Sequence, residues 1–268
     1  MTNSINEIDD AELFLVTGSN TTEQHPLIGT RVINAVERGA KLILIDPRRI
    51  PLATYAHVHL RHNIGTDVAV LNGLMNIIIE EGLYDKEYVE TRTEGFEGLK
   101  KTVSRYTPRV VEQISGIDAR DLALAAREYA KTGKSMILYA MGITQHTTGT
   151  DNVKTCANLA MLTGHVGKPS TGVNPLRGQN NVQGACDMGG LPVVYTAYQK
   201  VGDAPVKSRF EEAWGVGGLD EAPGLTITTM MEAADRGDLK ALYVMGENPL
   251  LSDPDVKHIE RALSNLDF

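Results

Sequence analysis

"ELFLVTGSNTTEQHPLIGTRVINAVERGAKLILIDPRR", residues 12–49, decides the fold. "ELFLVTG" (12–18) is an unbroken apolar run closed by glycine, the pattern of a short strand buried on both faces. "PLIGTRVINAVERGA" (26–40) opens on proline, repeats apolar residues at helical spacing and meets Gly39 at its end. "KLILIDPRR" (41–49) is a second buried strand. Strand, helix and strand in so short a span form a βαβ unit, with parallel pairing and a right-handed crossover.

The pattern continues outward. "TDVAVLNGLMNIIIEEG" (66–82) predicts an amphipathic helix with Thr66 as cap and Gly82 as stop. Residues 83–133 read as mostly helical, most clearly "DARDLALAAREYAKTG" (118–133), with Asp118 as cap and Gly133 as stop. "SMILYAMG" (135–142) is a third buried strand and "TDNVKTCANLAMLTGHVG" (150–167) another helix. An amide-rich loop follows, then a stretch without a clear pattern to residue 223. "TITTMMEAADRGD" (226–238) reads as helix, "LKALYVMG" (239–246) as a fourth strand and "SDPDVKHIERALSN" (252–265) as a closing capped helix. Alternating strands and helices of this kind make an α/β protein with a parallel sheet.

Composition narrows the partners. The 268 residues are 42% hydrophobic, enough for one large domain or two smaller ones, and carry a net charge of −8. An acidic chain argues against nucleic acid, since duplex binding needs a basic face, but local arginines and backbone amides can still hold phosphate. The two cysteines, Cys156 and Cys186, form neither a disulfide framework nor a zinc site and read as small buried thiols. The chain shows no signal-peptide pattern and no apolar run of membrane-spanning length, so the expected location is the cytoplasm.

Three segments share one plan: "LFLVTGSN", "ILYAMGITQ" and "LYVMGENP" each run from apolar strand to glycine to polar residues. Glycine at a strand's carboxyl end lets backbone approach a ligand, and in open parallel sheets ligands lie outside those ends. No G-x-G-x-x-G follows the first strand and no P-loop or G-x-S-x-G elbow occurs, which disfavours ordinary NAD sites, P-loop phosphate sites and serine hydrolases. "HVHLRH" puts His57 and His59 on one face of a strand, but no carboxylate or cysteine beside them completes a metal shell. In "IDPRR", Asp46 can accept two hydrogen bonds from a guanine edge or from ribose hydroxyls, and Arg48 can fork onto phosphate; a plain exposed turn is the alternative. In "NIGTDVAVLN", Gly65 and Thr66 start a helix whose amides suit an anion, and Asp67 serves either the ligand or the helix dipole. The loop "GVNPLRGQNNVQGACDMGG" (172–190) holds Gln179, Asn180, Asn181 and Gln183, more amides than local turns satisfy, which points to a ligand rich in donors and acceptors. Its single cation, Arg177, suits one small carboxylate or phosphate; an internal salt bridge is the alternative.

Taken together, "GVNPLRGQNNVQGACDMG", "IDPRR", "NIGTDVAVLN", "YAMGITQ", "NLAMLTGHVGKPSTGVNP" and "VMGENPL" closely resemble the catalytic (alpha) subunit of molybdenum- or tungsten-dependent formate dehydrogenases, within the molybdopterin oxidoreductase superfamily. The resemblance covers essentially the whole chain in the right order, and the R-G-Q-N-N-V-Q-G-A-C-D-M-G string is its most specific part. It implies a doubly wound, Rossmann-like α/β domain over 1–178 and part of a second, related domain over 179–268, each for one molybdopterin guanine dinucleotide. The implied cofactor is bis(molybdopterin guanine dinucleotide) with Mo or W. Asn20, Glu23, Asp46, Arg48, Gly65 and Asp67, with Met141, Gly142 and Gln145, are implied to line one dinucleotide. Gly178, Gln179, Asn180 and Asn181 would follow the pterin, and Gly246, Glu247 and Asn248 the second dinucleotide. Arg177 matches the arginine that orients formate.

The resemblance further implies oxidation of formate to carbon dioxide, with electrons passed to iron–sulfur clusters and an iron–sulfur partner subunit. Family members carry an N-terminal segment with a 4Fe–4S cluster, then a cysteine or selenocysteine that binds the metal. Neither Cys156 nor Cys186 matches that position, so no metal ligand is assigned. The chain therefore reads as an internal piece that, by itself, is expected not to turn formate over. Two other readings remain open on the residues: a nucleotide- or pterin-binding module without redox activity, and a different molybdopterin oxidoreductase.

Overall fold

The structure is a computed structural model that describes residues 1–253 and 255–268. Pro254, inside the helix expected over 252–265, lies outside the described residues. The chain divides into two compact units, Met1–Gly178 and Gln179–Phe268.

The first unit holds, in chain order, β1 (Leu13–Thr17), α1 (Pro26–Glu37), β2 (Lys41–Ile45), β3 (Val58–Leu60), α2 (Asp67–Glu80), α3 (Lys86–Arg92), α4 (Phe96–Val103), α5 (Pro108–Ser115), α6 (Ala119–Lys131), β4 (Ser135–Tyr139), α7 (Gly149–Leu162) and β5 (Gly172–Pro175). Its five strands are all parallel, in the order β3-β2-β1-β4-β5. The βαβ unit read from residues 12–49 is therefore present as β1, α1 and β2, with Leu13 opposite Lys41 and Thr17 opposite Ile45.

The unbroken apolar runs have a direct cause. Alternate residues of a strand face opposite sides of the sheet, so a strand covered on both sides must be apolar at every position. Leu13, Leu15, Ile43, Ile45 and Ile137 point into one core layer, where α2 supplies Val70, Leu71 and Leu74, and α6 and α7 supply Leu122 and Leu159. Phe14, Val16, Leu42, Leu44, Met136 and Leu138 point into the other, closed by Val32 and Ala35 of α1. Each such side chain taken fully out of water contributes about 1.5–3 kcal/mol.

His165 locks the far end of this unit. It is 3% exposed, and its Nε2 donates to the Thr132 carbonyl at 2.9 Å while Nδ1 lies 2.8 Å from the Thr163 hydroxyl. The ring thus ties the end of α7 to the end of α6 in its neutral form. Burial holds its pKa down to about 4, against 6.5 for the free side chain. Between those values the unfolded chain takes up a proton that the folded chain refuses, so stability falls as pH drops from 6.5 toward 4. The loss from this group is expected to reach about 3 kcal/mol. Urea midpoints followed across that interval should flatten in His165→Gln; an unchanged slope would contradict the assignment.

Four expectations need correction. Gly172–Pro175, read as the start of a loop, is the edge strand β5, paired with β4 from Met136↔Gly172 to Tyr139↔Pro175; a glycine and a proline hide so short a strand in the sequence. Thr66 stands at the cap position of α2 but makes no capping bond, its hydroxyl donating instead to the Asn63 carbonyl at 2.6 Å. The helix read over 118–133 starts on its Asp118 cap but ends at Lys131, before Gly133. Finally, "LKALYVMG" (239–246) is not a strand: Tyr243 and Met245 are 80% and 79% exposed. Among the described residues its backbone pairs at Leu239, which donates to Ala233 at 3.2 Å, at Lys240, whose carbonyl accepts from Asp267 and Phe268, and at Leu242, which donates to Phe268 at 3.0 Å. Apolar residues cannot hold a strand without a neighbour to complete its ladder.

The second unit contains α8 (Val182–Asp187), an antiparallel pair of β6 (Val194–Tyr195) and β7 (Gln199–Lys200), α9 (Ala204–Trp214), α10 (Ile227–Asp235) and α11 (Val256–Ser264). Met231, Ala234, Ile259 and Ala262 form a small core between α10 and α11. Tyr195, Phe210 and Trp214 form an aromatic cluster, with the first two rings stacked at 4.7 Å. Among the described residues no helix is long and apolar enough to cross a membrane.

Candidate functional site

In the first unit the chain runs outward from β1 through β2 to β3, then returns to pair β4 on the other side of β1. The loops after β1 and β4 therefore leave in opposite directions and open a crevice at the strands' carboxyl ends, the place where such sheets bind ligands. A cavity of about 720 Å³ lies there. Every strand end contributes to it: Gly18, Asn20 and Glu23 after β1, Asp46 and Arg48 after β2, His62, Gly65 and Asp67 after β3, Met141, Gly142 and His146 after β4, and Leu176 and Gly178 after β5.

Two glycines build the floor, though not in the way their sequence suggests. Gly18 has φ +56°, and a Cβ there would lie 2.6 Å from the Gly142 carbonyl carbon. Gly142 donates its N–H to the Gly18 carbonyl at 3.0 Å, and a Cβ on it would lie 2.6 Å from that oxygen. These glycines let two strand ends touch each other at the floor of the cavity. Gly65, with φ +83°, and Gly178 face open space.

Polar groups line the walls. Asp46 is 3% exposed, and its Oδ1 accepts the Arg48 N–H at 2.8 Å. Among the described residues no donor reaches its Oδ2. The Arg48 side chain is 69% exposed, with Nε 3.8 Å from Asp46, so its guanidinium is available to an anion. Asp67 opens α2 with its carboxylate buried and accepts from His62 Nε2 at 3.0 Å. Burial pushes the Asp67 carboxyl up, but the His62 hydrogen bond and charge, its own N–H and the charge of His146 outweigh that and hold it below its ordinary value. His146 donates to the Gly142 carbonyl at 2.8 Å.

Arg177 is exposed, and among the described residues its side chain makes no hydrogen bond or ion pair, so the internal salt bridge is not formed. Its backbone is held: His25 Nε2 donates to the Arg177 carbonyl at 2.7 Å. Leu176 and Gly178 line the cavity, whereas Arg177 itself does not. Gln145 ends the one-turn helix Met141–Thr144, is exposed and also stands outside the cavity.

The remaining expected residues lie in the second unit, apart from this cavity's lining. Gln179 and Asn180 are exposed. Asn181 sits at φ +53° and accepts the Gly184 N–H at 3.2 Å, capping α8, so one of the loop's amides is used by a local turn after all. Gly246 has φ +70°, Glu247 accepts from the Ser252 hydroxyl at 3.0 Å, and Asn248 caps the one-turn helix Pro249–Ser252.

The histidines His25, His62 and His146 were not expected here. "HNIGTD" offered the only hint, His62 lying five residues before Asp67. His59, weighed as a metal ligand, donates Nε2 to the Asp46 carbonyl at 3.0 Å, and the described residues contain no cluster able to hold a metal ion.

The donor set suits a nucleotide. Buried carboxylates can take ring N–H groups or ribose hydroxyls, an exposed guanidinium can take phosphate, and the volume lies within the range of small-molecule sites. Buried His25 Nδ1 and His62 Nδ1 have no partner, as expected where a ligand completes a polar wall.

The family model described as "Molybdopterin oxidoreductase" matches residues 1–268. The F420-dependent formate dehydrogenase 1 subunit alpha of Methanococcus maripaludis is 51% identical over 269 residues, covering 100% of this chain and 39% of the relative. Formate dehydrogenase H of Escherichia coli is 46% identical over 268 residues, covering 100% of this chain and 38% of the relative. The solved structure of Acetylene Hydratase from Pelobacter acetylenicus matches with a TM-score of 0.73 and 23% identity, over 100% of this chain and 40% of that one; at that identity the likeness concerns the fold. The chain thus spans about 39% of the length of the first of these relatives. A match that runs from one end of the chain to the other decides its kinship: the chain belongs to the molybdopterin oxidoreductase family.

Proposed function

We propose that the chain is part of the catalytic subunit of a formate dehydrogenase and that its first unit holds the nucleotide end of a bis(molybdopterin guanine dinucleotide). The observation that carries this reading is the cavity at the β1/β4 crevice, where Asp46, Arg48 and Asp67 converge. The identities of 51% and 46% to formate dehydrogenase subunits support the choice of substrate.

When bound, the cofactor's molybdenum or tungsten supplies the two-electron chemistry. The chain's own residues bind and orient. Asp46 accepts from base or ribose, Arg48 offsets phosphate charge, and Asn20, Glu23, Gly65, Asp67, Met141 and Gly142 shape the same wall, with Gln145 beside it. Gly178, Gln179, Asn180 and Asn181 follow the pterin, and Gly246, Glu247 and Asn248 serve the second dinucleotide. Arg177 holds the formate carboxylate through two parallel N–H···O bonds, which fixes the direction of the C–H bond to be broken. Electrons leave toward an iron–sulfur partner subunit.

Calorimetry tests the nucleotide half of this reading. GDP is expected to bind the chain with micromolar affinity, and Asp46→Asn to weaken it about tenfold, the value of one hydrogen bond to a charged group. A chain that gives no binding signal with GDP overturns the reading.

A further inference from the structure

His62 has no part in the roles above, yet it is a buried polar side chain of the cavity wall held by a hydrogen bond to Asp67. Its side chain is 3% exposed and that of Asp67 is 5% exposed, with Nε2 3.0 Å from Oδ1. A carboxylate oxygen only accepts, so Nε2 carries the proton and donates. The other ring nitrogen, Nδ1, is buried and has no hydrogen-bond partner. A buried polar atom left in this state costs free energy, and neither packing nor secondary structure requires a histidine here. A leucine in its place would remove that cost, and would also remove the only side-chain donor to Asp67 among the described residues.

Asp67 itself needs such a donor. Its carboxylate lies in the first turn of α2, where the helix amides favour negative charge. The groups facing it are His62 from the loop after β3, His146 from beyond β4 and the Cys156 thiol from α7. Of these, only His62 makes a hydrogen bond to it. Among the described residues no side chain donates to the second oxygen, Oδ2, while Asp67 lines the cavity.

We propose that His62 is a positioning residue of the nucleotide site: its Nε2–H pins Asp67 Oδ1 and so leaves Oδ2 to accept an N–H or O–H donor from a nucleoside in the cavity. The identity of that ligand rests on the proposed function above, whereas the pinning of Asp67 does not. A free carboxylate in a wall swings between rotamers, and a ligand that recruits it must first order it. A carboxylate already held by one oxygen presents the other at little ordering cost.

The test is a double-mutant cycle read by calorimetry with GDP on the 268-residue chain. His62→Leu and Asp67→Asn are each expected to weaken binding about tenfold, and the double variant to be no weaker than either single one. His62→Gln, which keeps an N–H donor, should bind close to the parent, while His62→Asn, too short to reach, should bind like His62→Leu and replaces it if the leucine variant does not fold. Circular dichroism and melting curves check the fold of each. A second readout needs no ligand: the Asp67 carboxyl, followed by carbon NMR, should titrate at higher pH in His62→Asn than in the parent and stay near the parent value in His62→Gln. The proposal is overturned if the His62 losses are absent, if losses at His62 and Asp67 simply add, or if the Asp67 titration does not move. Should the parent fail to bind GDP while the Asp67 titration still moves, the nucleotide reading falls and the pinning of Asp67 stands.

Discussion

Replacing Arg177 by lysine, in the formate dehydrogenase proposed to contain this chain, is expected to lower kcat/KM for formate by roughly 10- to 100-fold, the worth of a hydrogen bond to a charged group. Lysine keeps the charge but is a point donor, so it cannot reproduce the two parallel bonds of a guanidinium to a carboxylate. In the proposed role Arg177 orients formate by that double grip, so with one bond lost its C–H bond samples more directions. The loss should therefore fall on kcat as well as on KM. Stability should not change, because Arg177 is exposed and its side chain has no partner among the described residues. Steady-state kinetics with parallel melting curves decide the matter, and an unaltered kcat/KM would remove Arg177 from the formate site.

Gly142→Ala is expected to destabilise the first unit strongly and to disturb the crevice directly. The added methyl would lie 2.6 Å from the Gly18 carbonyl oxygen and 2.7 Å from its Cα. Both are backbone atoms, so relief requires the ends of β1 and β4 to part and the 3.0 Å bond from the Gly142 N–H to Gly18 to break. Overpacking of this kind costs about 3 kcal/mol. For a domain of this size that lowers the melting temperature by roughly 6–12 °C. GDP binding should weaken with it, since the crevice is the gap between those two strand ends. Gly65→Ala is the control: a methyl there meets nothing within 4 Å, so only the cost of φ +83° remains, about 1–2 kcal/mol. If the two variants melt alike, steric contact between β1 and β4 does not hold the crevice.

Residues 12–49 were legible because their pattern admits little choice. Runs such as "LFLV" and "LILI" are apolar at every position, and only a sheet covered on both sides has use for that. The same reasoning carried "SMILY" into β4, and it misled at "LKALYVMG", where the apolar run is present but no strand among the described residues pairs with it. That Asp46, Arg48, Gly65 and Asp67 would gather at the strands' carboxyl ends was legible because each follows a strand or starts a helix, where local backbone dictates what faces outward. His62 was not, because a histidine near a strand has no pattern that separates a carboxylate's partner from a solvated side chain.

By itself the sequence determined the parallel α/β wrap of the first unit, the strand ends at which its polar residues gather, and the family. These follow from periodicity, from glycine and proline punctuation, and from short strings whose order is local. Only the tertiary structure decided that Gly172–Pro175 is an edge strand, that Gly18 and Gly142 press against each other, that His25 holds the Arg177 carbonyl and that His62 pins Asp67. Most of these contacts join segments far apart in the chain, and the His62–Asp67 pair turns on where a loop carries one side chain. Which partners meet is set by how the strands order themselves in the sheet, and no pattern within a single segment encodes that.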